Sequence, residues 1–92
     1  MTKADIINSI AESTGVERQA VVNVVEAFMD CIKDSMIEKR ENVYLRGFGS
    51  FVIKHRAAKT ARNISKNTTI TIAAHDMPTF KPSKLFTARM TE

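Results

Sequence analysis

The chain has one cysteine, Cys31, in 92 residues. That excludes a disulfide within the chain and a thiolate metal cluster built from one copy, and a reducing compartment is the simpler setting. Cys31 follows Phe28 by three positions in an apolar helical stripe, where a buried, inert small hydrophobe is expected. No apolar run approaches the ~18 residues of a membrane-spanning helix. The opening MTKADIINSIAEST lacks the basic, apolar and small-residue layout of a secretory signal, so a cytoplasmic location is expected. Only two histidines are present, His55 and His75. With Cys31 and Asp76 they show no zinc-ligand spacing. Ser50, Ser65 and Ser83 have no base close by in sequence, and GFG is too short for a phosphate loop. Neither catalysis, a metal, a cofactor nor a small-molecule substrate is expected.

Acids are scarce in the second half. Residues 1–41 carry five Lys or Arg against eight Asp or Glu, a balance of −3. Residues 42–84 carry eight basic residues against one acid, Asp76, a balance of +7. Such asymmetry points to a polyanionic partner. An anionic membrane fits the charge but not the pattern, because the basic part reads as strand and loop rather than an amphipathic helix. The aromatics fall at strand-core or helical positions, unlike the exposed platforms that stack RNA bases.

The length suits one domain. Thr2 and Asp5 have the spacing of a capping box. Ile6, Ile7, Ile10 and Ala11 come next at helical spacing, and Gly15 suits a left-handed stop, so a first helix is expected over about 3–14. Val21, Val22, Val25, Phe28, Met29, Ile32 and Met36 mark a second helix over about 18–38, apolar on more than one side, and the two form a helical hairpin. The period then changes to two. NVYLR at 42–46 and GFGSFVIKHR at 47–56 read as strands joined at Gly47, with Gly49 where a strand bends or passes close to another element. TTITIAAH alternates again, so a strand over 68–74 is expected to return antiparallel to 48–56. Pro78 and Pro82 punctuate the segment HDMPTFKPSK. A short helix is expected from near Pro82, with Phe86 and Met90 facing inward.

Between those two strands lies HRAAKTARNISKNTT, residues 55–69. With Lys54 just upstream it offers Arg56, Lys59, Arg62 and Lys66, no acid, and one large apolar residue, Ile64. Such a segment has no core of its own, so it reads as a basic hairpin excursion, mobile alone and ordered on a partner. A two-stranded ribbon fits a DNA groove. Its cations would neutralise phosphates, and Asn63 and Asn67 could donate to base edges or phosphate oxygens. Two broadly apolar helices and a small sheet cannot cover one another, so a two-fold dimer is expected, giving two basic arms on one body.

Four stretches carry a family resemblance spanning essentially the whole chain: TKADIINSIAESTG, VYLRGFGSFVIKHR, ARN at 61–63, and FKPSK at 80–84. The sequence resembles the bacterial histone-like DNA-binding proteins, the family of HU and integration host factor. KTARNISKNTTI is similar to the Bacteroidetes-type branch. The resemblance implies an α+β fold over a single domain, 1–92. Its helical dimerisation part would cover 1–41, the three-stranded antiparallel sheet with its long β-ribbon arm (about 55–69) would cover 42–80, and a short C-terminal helix 81–92. It implies an intertwined dimer, either a homodimer or a heterodimer with a paralogue. The arms would lie in the minor groove of double-stranded DNA in the bacterial nucleoid. Arg56, Lys59, Arg62 and Asn63 match arm positions, Lys66 lies just past the tip, and Lys81 and Lys84 match basic body positions. Lys3 matches a basic residue that faces DNA in some members. Arg46 either contacts the DNA backbone or is a solvated sheet residue. Phe48, Phe51 and Phe80 match core aromatics.

One position departs from the family pattern. The arm motif usually reads Arg-Asn-Pro, and here it reads Arg62-Asn63-Ile64. Isoleucine can insert between base steps, rest in the groove without unstacking them, or only steady the hairpin. The function expected is an architectural one: binding, bending, wrapping and compacting duplex DNA with low sequence specificity. The alternatives are a subunit of a site-specific bending factor and, from another class, a module whose basic arm binds an acidic protein surface.

Overall fold

A computed structural model describes residues 1–63 and 68–91. Its order is α1 (Lys3–Thr14), α2 (Arg18–Ile37), β1 (Val43–Leu45), β2 (Gly49–Arg56), β3 (Lys59–Asn63), β4 (Thr68–Ile72), β5 (His75–Pro82) and α3 (Lys84–Met90). The capping box at α1 is complete. Thr2 Oγ1 accepts from the Asp5 amide at 3.2 Å, and Asp5 Oδ2 accepts from the Thr2 amide at 2.8 Å. The Thr2 amide first, and the Thr2 hydroxyl after it, hold the Asp5 carboxyl below its usual range. Gly15 ends the helix at φ 73°, its amide donating to the Ala11 carbonyl. Across the hairpin, Arg18 Nε donates to Asn8 Oδ1 at 2.9 Å.

The end of α2 is less ordinary. The Glu38 amide donates to the Asp34 carbonyl at 2.9 Å, and the Glu41 amide then folds back to the Ser35 carbonyl at 3.0 Å, so the chain curls over the last turn of the helix. Within that curl Arg40 is left-handed, at φ 54°. An L-residue with a Cβ occupies that region at a cost of about 1 kcal/mol, where glycine would sit freely.

The main sheet has the order β1-β2-β5, all antiparallel. The third strand is therefore 75–82, not 68–74 as the alternation suggested. Two prolines masked it. β5 is an edge strand, where a missing N–H need not break a ladder, so Pro78 can pair with Ile53 and Pro82 with Gly49. β4 pairs instead with β3 in a separate ribbon. Residues 55–56 finish β2 and 59–63 form β3, so this much of the arm is strand rather than loop.

Strand alternation sorts the main sheet into two faces. One carries Val43, Leu45, Phe51, Ile53, Phe80 and Pro78. It turns toward α2, where Met36 and Ile37 share a cleft with Ile53 and Pro78. Phe80 packs on Phe48 and on Phe51 at 5.1 Å each, and Phe86 of α3 reaches Phe48 at 5.6 Å. These are the aromatics expected to form a core, with Phe86 added. The hairpin between β1 and β2 turns at Gly47, φ 83°, with the Phe48 amide on the Leu45 carbonyl. α3 starts just after Pro82, capped by Ser83, whose Oγ accepts from the Phe86 amide at 3.1 Å.

A single copy buries little. Among the described residues, the buried apolar side chains are Ile7, Val21 and Met36. Phe28, Val24 and Leu85 are 49, 68 and 68 % exposed. Met90, expected to face inward, is 77 % exposed, and Cys31 is exposed as well, not buried. The accessible surface is 7671 Å², against ~5,400 Å² for a compact monomer of this mass. The radius of gyration is 18.6 Å, against ~12 Å for a compact domain of this length.

Candidate nucleic-acid interface

The second face of the sheet carries the charge. Along β2 it presents Ser50, Val52, Lys54 and Arg56; opposite them on β5 are Lys81, Thr79, Met77 and His75, and Tyr44 stands beside Ser50 on β1. Apolar residues turned toward α2 force their neighbours outward, so the period of two that builds the core also lines up these cations. At one end of this face, a shallow groove is lined by Arg46, Lys81 and Lys84 together with Tyr44 and Ser50. Three expected contact residues, from the β1–β2 turn, from β5 and from the start of α3, thus meet in one place.

At the other end the face runs into the ribbon. Arg56 pairs with His75 as the last step of the main sheet, and Lys59 pairs with Ile72 as the first step of the ribbon. Between them the ladder is interrupted by Ala57 and Ala58 on the outgoing side and Ala73 and Ala74 on the return. The interruption is matched in length, so pairing resumes without a register slip. Arg62 pairs with Thr69 and Asn63 with Thr68. Arg56 and Lys59 are exposed and border a cleft with Ile72 and His75 at the arm's root. Ile64, Lys66 and Asn67 lie outside the described residues.

Lys3 stands apart from this face. Its ammonium is paired with Glu26 of α2. Any use of Lys3 on a polyanion therefore exchanges a carboxylate for a phosphate.

Several residues of the face escaped the sequence reading. Tyr44, 72 % exposed, stands among the cations, as do Ser50, Thr79 and His75. The signal was present in β2, since 50, 52, 54 and 56 share a face by alternation. For β5 it was absent, because that strand was not recognised. Asp76, the sole acid of residues 42–84, belongs to the opposite face, across from His55. Its carboxyl is held below the usual range chiefly by the hydrogen bond from His55; burial opposes it, and the charges of Arg40, His55 and His75 each add a smaller lowering. A depressed carboxylate stabilises the fold above its unfolded value near 3.8 and loses that contribution only as pH falls through the lower folded value.

A helical hairpin, a three-stranded sheet with one cationic face and a basic ribbon following it define a nucleic-acid-binding body. The chain matches the family described as "Bacterial DNA-binding protein" over residues 1–91, and it belongs to that family. It is 36 % identical to DNA-binding protein HU of Geobacillus stearothermophilus over 84 residues, 91 % of this chain and 92 % of the relative. It is 35 % identical to integration host factor subunit alpha of an Anaeromyxobacter strain over 85 residues, 92 % and 85 % of the two chains. In structure it is similar to HU in the Anabaena HU–DNA cocrystal structure, with a TM-score of 0.89, 30 % identity and coverage of 98 and 97 %. An HU variant from Thermotoga maritima, at 21 % identity and a TM-score of 0.72, shares the fold.

Proposed function

We propose that two copies of this chain form an architectural dimer that binds duplex DNA through its minor groove with low sequence specificity, bending and compacting it. The observation that carries this reading is the cationic sheet face that passes in register into the basic ribbon. The uncovered apolar surface of α2 and α3 supports the dimer, since isologous pairing is the simplest way to bury it. The named relatives, HU and an integration host factor subunit, support the DNA partner. Arg46, Lys54, Lys81 and Lys84 would contact phosphates on the saddle. Arg56, Lys59, Arg62, Asn63, Lys66 and Asn67 would act along the arm, and Lys3 would join when DNA wraps far enough to displace Glu26. Low specificity is a consequence of the minor groove itself, which distinguishes little beyond A·T from G·C. A place in the bacterial cytoplasm, on the nucleoid, goes with this role. Among the described residues no helix is long and apolar enough to cross a membrane.

Fluorescence anisotropy with a short duplex tests the reading. Affinity is expected to fall steeply with salt, as several counterions are released at once. It is expected to be higher for nicked or gapped duplex, which bends at lower cost. A flat salt response would overturn the proposal.

Ile64 takes the role of wedge at each kink. Unstacking a base step costs a few kcal/mol, recovered through the extra protein surface that a bent duplex covers. Energy-transfer bending assays are expected to give a smaller bend for Ile64→Ala and at least the native bend for Ile64→Pro. Equal bends in all three proteins would remove Ile64 from the mechanism.

A further inference from the structure

A lone carboxylate in a basic half weakens attraction for a polyanion, so its position calls for a physical reason. Asp76 sits across from His55 in the penultimate pair of β2 and β5. His55 Nδ1 lies 3.0 Å from Asp76 Oδ1, a hydrogen bond that the imidazole N–H donates. The second oxygen, Oδ2, lies 3.3 Å from Arg40 Nη1. Arg40 comes from the left-handed stop of α2, 36 residues earlier in the chain. Among the described residues, Arg40–Asp76 is the one ion pair joining the helical end of the molecule to the sheet.

The site of this contact matters more than its strength. One step beyond His55 and Asp76 comes the Arg56–His75 pair, and after it the ladder breaks at the two facing Ala-Ala dipeptides. The ribbon is thus joined to the body through four residues whose methyl side chains provide little packing. Whatever fixes its departure direction must act on the body side of that break. The carboxylate acts there, and from the sheet face opposite Lys54 and Arg56. It can therefore hold the root from behind without occupying the surface offered to phosphates.

We propose that Asp76 is a positioning residue for DNA bending. Its carboxylate clamps the arm's root strand to the end of α2 through His55 and Arg40, and so sets the direction in which the ribbon leaves the body. The bending part of this inference rests on the function proposed above; the clamp itself does not. Arg40 fits the role. Glycine would complete the same helix stop without backbone strain, and arginine adds a guanidinium that reaches the sheet.

The test compares Asp76→Asn, Asp76→Glu and Arg40→Gly with the native protein. In the DNA-free protein, the cross-strand amides of residues 54–56 and 75–77 are expected to exchange with solvent at least about threefold faster in Asp76→Asn and Arg40→Gly, and at the native rate in Asp76→Glu. The β1–β2 amides should not change in any variant. Arg40→Gly should keep or raise the melting temperature, because it relieves the left-handed backbone, which separates loosening of the root from general destabilisation. On DNA, Asp76→Asn should bind more tightly at low salt, with a log–log salt slope steeper by up to about 2 per dimer as freed cations meet phosphate. Its distribution of bend angles should nevertheless broaden. Tighter binding with looser bending is not the pattern of a damaged fold. Native exchange at the root and a native bend distribution in Asp76→Asn and Arg40→Gly would overturn the proposal. Faster root exchange in a protein that leaves DNA straight would keep the clamp and discard the DNA-bending reading.

Discussion

Replacing Arg56, Lys59 and Arg62 by alanine is expected to lower affinity for duplex DNA by about a thousandfold at roughly physiological salt, while the dimer stays intact. Arg56 and Lys59 are exposed at the root of the ribbon, and Arg62 pairs with Thr69 further along it. In a dimer, the substitution removes three charges from each of two arms. Each phosphate contact contributes about 0.9 to the slope of log affinity against log salt, so six lost contacts would flatten the slope by up to about 5. The saddle cations Arg46, Lys54, Lys81 and Lys84 would remain, so residual binding should be weak but still salt-dependent. Arg56 and Lys59 are exposed rather than part of the core, which is why light scattering should report an unchanged dimer. Anisotropy over a salt series measures the rest. Loss of the dimer would make the arm part of the fold. Weaker binding at an unchanged slope would mean that these cations meet something other than phosphate.

The helical half was legible because its determinants are local. Thr2 and Asp5 are three residues apart and cap each other; Gly15 stops α1 through its own φ; Val21 and Met36 belong to the apolar repeat of α2 and are each buried. Gly47 was legible for the same reason, a turn within four residues. The sheet was not, because strand pairing is a relation between distant segments. TTITI alternates clearly yet carries nothing that names its partner, and it joins KTARN rather than GSFVIKHR. KTARN itself has almost no apolar alternation. It is extended because it pairs with β4, residue for residue from Lys59–Ile72 to Asn63–Thr68. β5 was hidden by prolines that an edge position tolerates. His75 and Asp76 are its first two residues, and the contact from Arg40 depends on a fold that brings 40 and 76 together. Cys31 and Met90 mark the remaining limit. Periodicity placed each on an inward apolar face, and each is exposed in one copy of the chain. The candidate interface showed the same division. Its cations were visible as composition, and their sharing of one face was visible only once β5 was in place.

Gly49→Ala is expected to destabilise the folded dimer by about 1–3 kcal/mol, despite the entropy that alanine removes from the unfolded chain. Gly49 is buried in the central strand, paired with Leu45 on one side and Pro82 on the other. A Cβ there would lie 2.6 Å from Phe80 Cζ and 2.7 Å from the Lys81 carbonyl oxygen. The entropic gain is at most about 1 kcal/mol, and a contact this short cannot persist, so β5 must shift. That shift would disturb Phe80, which packs on both Phe48 and Phe51. It would also move Lys81 and the groove it shares with Arg46 and Lys84. The two obstacles can be separated. Phe80→Leu shortens the side chain that meets the new methyl but leaves the Lys81 carbonyl in place, so Gly49→Ala combined with Phe80→Leu should recover only part of the lost stability. Denaturant midpoints for the four proteins of this cycle, taken at one fixed concentration because dimer stability depends on it, give the coupling directly. Full recovery would assign the whole clash to the ring. No recovery would place the obstacle in the β5 backbone, which is then the element that keeps the arm's root and the basic groove in register.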